Sequence, residues 1–386
     1  MKPERLRSIQ KQAWASLSLF LLMSVLFLTN ACSVRGTAPV TPEPTASFAF
    51  IANSGSGNVS AFAVSTSGTL SPVPGSPFPA GDGAEFMAMD FVHKFLFVSN
   101  QNANNISVFS TDTNTGILNP VPGSPFATGA VPHGVAVDPQ GRFAFVGNQN
   151  DNSVSVFRIN RRGTLTPVPG SPFTGIDGPI GLTVNPAGTF LFVNNLNSNT
   201  VSPFLIDSNT GALIPVPGSS FPTGQTPIGL IVDPNGKFLY VGDHMQDAIS
   251  AYSIDAESGA LTRISGPTVA TTGCPGCHMN ARPLRLAIHP MKNFAYVTNV
   301  AGNSLSVFSL NNGTLSPIST SVATGQHPFG VALDPTGSFL YVANKVDNTI
   351  SGFSVDRMTG MLSPLPGSPF SVGGIAPTGI VTVPKQ

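Results

Sequence analysis

Large apolar residues alternate with small or polar ones in short bursts along most of the chain, and each burst ends in a cluster of Gly, Pro, Asn or Asp. Period-two alternation over a few residues marks buried strands, and the clusters between them mark turns. One burst recurs as aromatic-x-aromatic-Val/Ile-x-Asn, starting at Phe48, Phe95, Phe143, Phe190, Phe238, Phe294 and Phe339, with Asp243 in place of the Asn in the fifth copy. The intervals are 47, 48, 47, 48, 56 and 45 residues. A nearly constant period of that length, filled with strands, predicts a propeller and excludes a helical solenoid.

Each copy reads as four short strands. In the third, Gly134–Val137 is followed by the turn Asp138-Pro139-Gln140-Gly141, then Phe143–Val146, an Asn-rich loop, and Val154–Phe157. The last segment, Leu165–Phe173, holds Pro167, Pro169 and Pro172. Proline donates no ladder hydrogen bond, so this segment is the outer edge strand, and the prolines blunt that edge. Pro-Val-Pro-Gly-Ser recurs from Pro72, Pro120, Pro167 and Pro215, with Leu365 for Val in the copy from Pro364. The first copy lacks an inner strand, and the chain finishes on an unpartnered one, Gly379–Val383. The expected fold is all-β: a seven-bladed propeller of four-stranded blades, closed by the C-terminal strand joining the N-terminal blade.

Composition fits this picture. Charged residues are 9%, Gly and Pro number 40 and 36, and 41% hydrophobic residues with 27 Phe supply the core of a turn-rich protein rather than a disordered one. The first 31 residues read as a targeting segment: Lys2, Arg5, Arg7 and Lys11 precede an apolar run that stops at Ala31-Cys32. This pattern resembles a bacterial lipoprotein signal, with Cys32 the lipidated residue, residues 32–46 a Pro-rich tether and 47–386 the propeller. The lipid is then the only expected membrane attachment, and the expected location is the cell envelope: outer-membrane-anchored, periplasmic or extracellular. Residues 32–386 carry 14 basic and 17 acidic side chains with no basic stripe, which argues against nucleic-acid binding.

Candidate chemistry appears where the repeat breaks. Residues just before the inner strand face the mouth of the central channel. Five copies read Pro-x-Gly there, with x being His133, Ile180, Ile228, Phe329 and Thr378; the others read Ala84-Glu85-Phe86 and Pro283-Leu284-Arg285. Glu85, His133 and Arg285 are therefore the candidate catalytic set: a carboxylate and an imidazole to activate water, and a guanidinium to hold an oxyanion. The alternative is a solvated rim. His327 and the pair Asp243-His244 are weaker candidates of the same face. The fifth copy carries the long insertion, with Cys274-Pro275-Gly276-Cys277-His278. Cys274 and Cys277 suit a local disulfide in an oxidising compartment; the same spacing with His278 matches c-type haem attachment, although so short an insertion offers little pocket. No cofactor and no metal site are expected, and a monomer is.

The repeat resembles the lactonase-like seven-bladed propellers: 6-phosphogluconolactonases, carboxymuconate-lactonizing enzymes and YVTN-repeat surface propellers. The resemblance spans about residues 47–383 and rests on Phe339-Leu-Tyr-Val-Ala-Asn344, Phe294-Ala-Tyr-Val-Thr-Asn299 and Gly-x-Leu at 163–165, 211–213 and 259–261. It implies lactone hydrolysis at the channel mouth. The family's Arg-His pair and Asn-Glu match only in part. Leu284 and Arg285 stand at the pair and Val300 at the Glu, whereas His133 matches a Pro-His that family members show. Sparse charge argues against a phosphorylated substrate. Two functions follow: an envelope module that binds a protein or glycan, favoured by the neutral Asn-rich loops, and a hydrolase of small lactones.

Overall fold

A computed structural model describes residues 43–264, 269–270, 281–318 and 321–386. They form seven antiparallel sheets that follow one another in chain order as the blades of a propeller. Blade one holds the first described strand, Thr45–Asn53, and the inner strands of blades two to seven begin at Ala84, Pro132, Pro179, Pro227, Pro283 and Pro328. Blade three runs outward from the channel as Pro132–Val137, Phe143–Asn148 and Ser153–Ile159. Its fourth position is shared by two short pieces, Leu165–Pro167 and Phe173–Thr174, which both pair with the third strand. The Pro-Gly-Ser turn between them explains the split: Ser171 Oγ accepts the Val156 amide at 2.9 Å, filling the gap in the ladder. Ser76, Ser124 and Ser368 do the same in their blades. The recurrent motif is thus an edge device.

Ring closure follows the expected route. Thr45–Asn53 lies between Asn58–Ser65 and the C-terminal strand Pro377–Pro384, with Phe48 opposite Val383 and Phe50 opposite Val381. The first strand starts at Thr45, two residues ahead of the boundary read from the repeat.

The core is divided among the blade-to-blade interfaces. Each hydrophobic cluster mixes two successive blades; Phe143, Phe145 and Val154, for example, pack with Leu191, Val193 and Phe204. The aromatic that opens every second strand lies under the outer-hairpin glycine of the next blade: Phe48 under Gly116, Phe143 under Gly211, Phe339 under Gly68. Two repeat features of the sequence, the leading Phe and the Gly-x-Leu, are therefore the two halves of one contact. At Gly211 φ is +80°, and a Cβ would fall 2.5 Å from the Phe143 ring. Left-handed strain and overpacking add there, so Gly211→Ala is expected to cost about 2–4 kcal/mol in denaturant unfolding. Gly218→Ala, at φ +74° with open space around it, should cost only about 1 kcal/mol.

The Asn-rich loops are also part of this frame. The Asn ending each second strand donates its amide to the third strand, as Asn148 does to Ser153 and Ser155 Oγ at 3.0 and 2.9 Å. A second set of residues reaches the following blade: Asn104 Oδ1 accepts the Val131 amide, Asn199 the Thr226 amide, Asn303 the His327 amide and Asn348 the Ala376 amide, all at 2.7–2.9 Å. In the loops at 100–105 and 148–152, Asn100, Asn104, Asn105, Asn148 and Asn152 have their side chains engaged within the protein. Their abundance reflects latching between strands and blades.

Asp243 replaces the strand-ending Asn in blade five. It is fully buried, and it accepts the Ser250 hydroxyl at 2.6 Å instead of donating to it; Arg263 donates to the same hydroxyl at 3.2 Å. Burial pushes its carboxyl up to about 6, against the opposing hydrogen bond from Ser250. A carboxyl with a raised folded pKa favours the fold while protonated, so stability falls as pH rises from about 4 to 6 and stays lower above. Asp243→Asn should remove that step and raise stability at pH 7 by on the order of 2 kcal/mol, measured as unfolding free energy across the same range.

The targeting segment 1–31, Cys32, and Cys274, Cys277 and His278 lie outside the described residues. Among the described residues no helix is long and apolar enough to cross a membrane, and no three His, Cys, Asp or Glu gather as a metal site.

Candidate functional site

The inner strands open with a bulge: in blade three the pairing skips between Pro132 and Val135. The two residues inside it, at the x and Gly places of Pro-x-Gly, border the channel mouth. Glycine at the second place leaves space for a neighbour; a Cβ on Gly134 would meet the Ile180 carbonyl of blade four at 2.4 Å. Blades two and six put Phe86 and Arg285 at that place instead.

Those two side chains meet. The Arg285 guanidinium lies over the Phe86 ring at 3.9 Å, and Phe329 of blade seven completes the group at 5.9 Å from the guanidinium and 6.3 Å from Phe86. Together they border a small central cavity of about 150 Å³ that is otherwise walled by glycines and by aliphatic and methionine side chains. Arg285 Nη2 has no hydrogen-bond partner. Burial pulls the guanidinium down to about 10, with the Glu85 charge acting the other way, so it stays cationic at neutral pH.

Glu85 and His133, on adjacent blades, are both buried and stand side by side, with Glu85 Oε2 3.0 Å from His133 Nδ1. The Phe86 ring meets the imidazole edge-on at 5.6 Å. On the far side of the imidazole, Gln101 Nε2 lies 2.9 Å from His133 Nε2. A Gln amide N–H donates, so His133 accepts at Nε2 and carries its proton on Nδ1. Nδ1 is close to the Glu85 carboxylate, yet neither Nδ1 nor Oε2 has a hydrogen-bond partner, so the two are paired by proximity and charge alone. Glu85 is itself fixed from behind: the hydroxyl of Thr378, on the closing strand, donates to the Glu85 carbonyl at 3.0 Å.

The three residues singled out from the sequence thus share one mouth. Glu85 and His133 touch, and Arg285 reaches the same group through Phe86 rather than through an ion pair. Gln101, Phe86 and Phe329 complete it and were not singled out. Gln101 follows the strand-ending Asn at a place where the copies carry Ser54, Gln149, Leu196, His244, Val300 and Lys345, so no pattern marks it. The weaker candidates stand apart. His244 Nδ1 faces the Pro283 carbonyl at 3.3 Å, and burial lowers its pKa. His327 is also lowered, chiefly by burial, then by Lys345 and His244.

A general base with a carboxylate behind it and a cation nearby can add water to an ester carbonyl. The family described as "Lactonase, 7-bladed beta-propeller" matches residues 39–224, 218–279 and 268–375. No curated protein matches the chain. Among solved structures, a candidate 6-phosphogluconolactonase of Bacteroides fragilis superposes with a TM-score of 0.76 at 22% identity, covering 89% of this chain and 100% of its own. A counterpart from Bacteroides uniformis gives 0.75 at 21%, covering 88% and 100%. The periplasmic gluconolactonase of Pseudomonas aeruginosa gives 0.75 at 19%, covering 89% and 100%.

Proposed function

The chain belongs to the seven-bladed lactonase propeller family, and we propose from its channel mouth that it hydrolyses a small, unphosphorylated sugar lactone. Fold alone does not fix activity; the observation that carries the reading is the Glu85–His133 contact at 3.0 Å with Arg285 beside it. Water takes the place of the Gln101 amide at His133 Nε2 and gives that nitrogen its proton as it adds to the carbonyl. Glu85 balances the imidazolium, and Arg285 Nη2 donates to the oxygen that becomes negative. The imidazolium then returns its proton to the ring oxygen as the C–O bond breaks, leaving the hydroxy acid.

The substrate class follows from charge. One guanidinium borders the cavity, and a phosphate dianion would call for several cations there. The proposed location is the cell envelope, with Cys32 as the lipid anchor. The other role, an envelope module that binds a protein or glycan, drew its support from Asn-rich loops in which Asn100, Asn104, Asn105, Asn148 and Asn152 are engaged inside the fold. A pH-stat assay on glucono-δ-lactone and its 6-phosphate tests the proposal. Turnover of the neutral lactone in preference supports it; no turnover on either sinks the hydrolase reading, and preference for the phosphate sinks the substrate class.

A further inference from the structure

On the opposite face of the propeller, blades five and six part around a cavity of about 420 Å³, within the size range of small-molecule sites. Two local departures from the repeat form it. Blades three, four, five and seven close the turn after the inner strand with an Asp or Asn and a left-handed glycine; Asp233 Oδ1, for instance, accepts the Lys237 and Phe238 amides, and the Gly236 amide returns to the Asp233 carbonyl. Blade six has His289 and Lys292 in those places. His289 Nδ1 accepts only the Met291 amide, and the Phe294 amide turns to the Lys292 carbonyl. The outer hairpin of blade six is also short, a two-residue Asn312-Gly313 turn with Asn311 opposite Thr314.

The short turn strands a hydroxyl. Tyr296 and Tyr341 donate to the outer-turn glycine of the following blade, Gly360 and Gly68, at 3.0 and 2.7 Å. Tyr240 is the same residue of blade five, 1% exposed, borders the cavity, and has no such bond to Gly313 or to any other described residue. Lys237 and Lys292 border the cavity too, and neither is in an ion pair among the described residues. The one acid there, Asp233, has both oxygens taken by its own turn, Oδ2 by the Asn235 amide. Phe238, Ile288 and Leu310 give the remaining wall an apolar surface.

We propose that this cavity is a second ligand site, independent of the channel mouth, for a small organic carboxylate. Lys237, Lys292 and the Tyr240 hydroxyl hold the anionic group, and the apolar wall takes the carbon body. The test is titration of the full chain with benzoate, gluconate and inorganic phosphate, read by calorimetry and by tyrosine ring resonances. The protein has four tyrosines, and only Tyr240 should shift. Tyr240→Phe keeps the fold, since Phe50, Phe97, Phe145 and Phe192 fill that place in blades one to four. It and the Lys237→Met and Lys292→Met variants should each weaken benzoate binding about tenfold, while Arg285→Ala should leave it unchanged. Three outcomes overturn the proposal: no binding of either carboxylate, binding that is lost in Arg285→Ala but kept in the lysine variants, or binding of phosphate alone.

Discussion

An alanine at His133 is expected to lower kcat/KM for sugar-lactone hydrolysis by about 10²–10⁴-fold, the usual loss when a positioned general base is removed. Glu85→Gln should act in the same direction, because the amide cannot balance an imidazolium and offers Nδ1 a donor as readily as an acceptor. Arg285→Ala should cost about 10²–10³-fold, chiefly in kcat, as expected for a group that pairs with charge formed only in the transition state. Arg285→Lys should recover part of this, since the charge survives and the planar stack on Phe86 does not. Steady-state kinetics checks each, alongside thermal unfolding to show that the fold is kept. A His133→Ala enzyme with a tenth or more of the parent activity would remove the imidazole from the mechanism.

The largest structural effect should come from ending the chain before Pro377. The lost strand pairs with Thr45–Asn53 along its length and buries Thr378, Ile380 and Val383. Without it blade one has no inner strand, and two inter-blade clusters lose members. Domain stability is only about 5–15 kcal/mol, and losing several buried side chains of about 1.5–3 kcal/mol each exceeds what the ring can absorb. The truncated protein should show no cooperative unfolding transition by circular dichroism. A transition within a few degrees of the full chain would mean that closure contributes little. Because Thr378 also holds the Glu85 carbonyl, loss of activity should accompany loss of the ring.

Most of the fold was legible because a propeller repeats its reasons. The aromatic-x-aromatic-Val/Ile-x-Asn burst, the Pro-rich edge and the stray strand at 379–383 each have one physical role, and seven copies make the pattern plain. The candidate site was legible only where it interrupts that pattern. Glu85, His133 and Arg285 stand out because their neighbours in the repeat are apolar or Gly. Gln101 comes from a loop where each copy differs, and Phe329 is one more apolar residue among Ile and Leu. Phe86 broke the glycine rule, but its meaning needed Arg285, which lies some 200 residues on in sequence and across the channel. The asparagines pose the opposite difficulty: their loops look exposed in the sequence, and the partners of Asn148 in its own blade and of Asn104 in the next become visible only in the fold.

The position of the first strand bears on how the ring would carry a load. Thr45–Asn53 is not an edge: it runs antiparallel to strands on both sides, Asn58–Ser65 and Pro377–Pro384. A pull applied to the chain at Thr45 acts along the strand and strains the bonds of both ladders together. The same pull on an outermost strand would peel its bonds away one at a time. If the protein is held by its N-terminus, drag on the propeller is resisted in shear, by the sheet that also seals the circle.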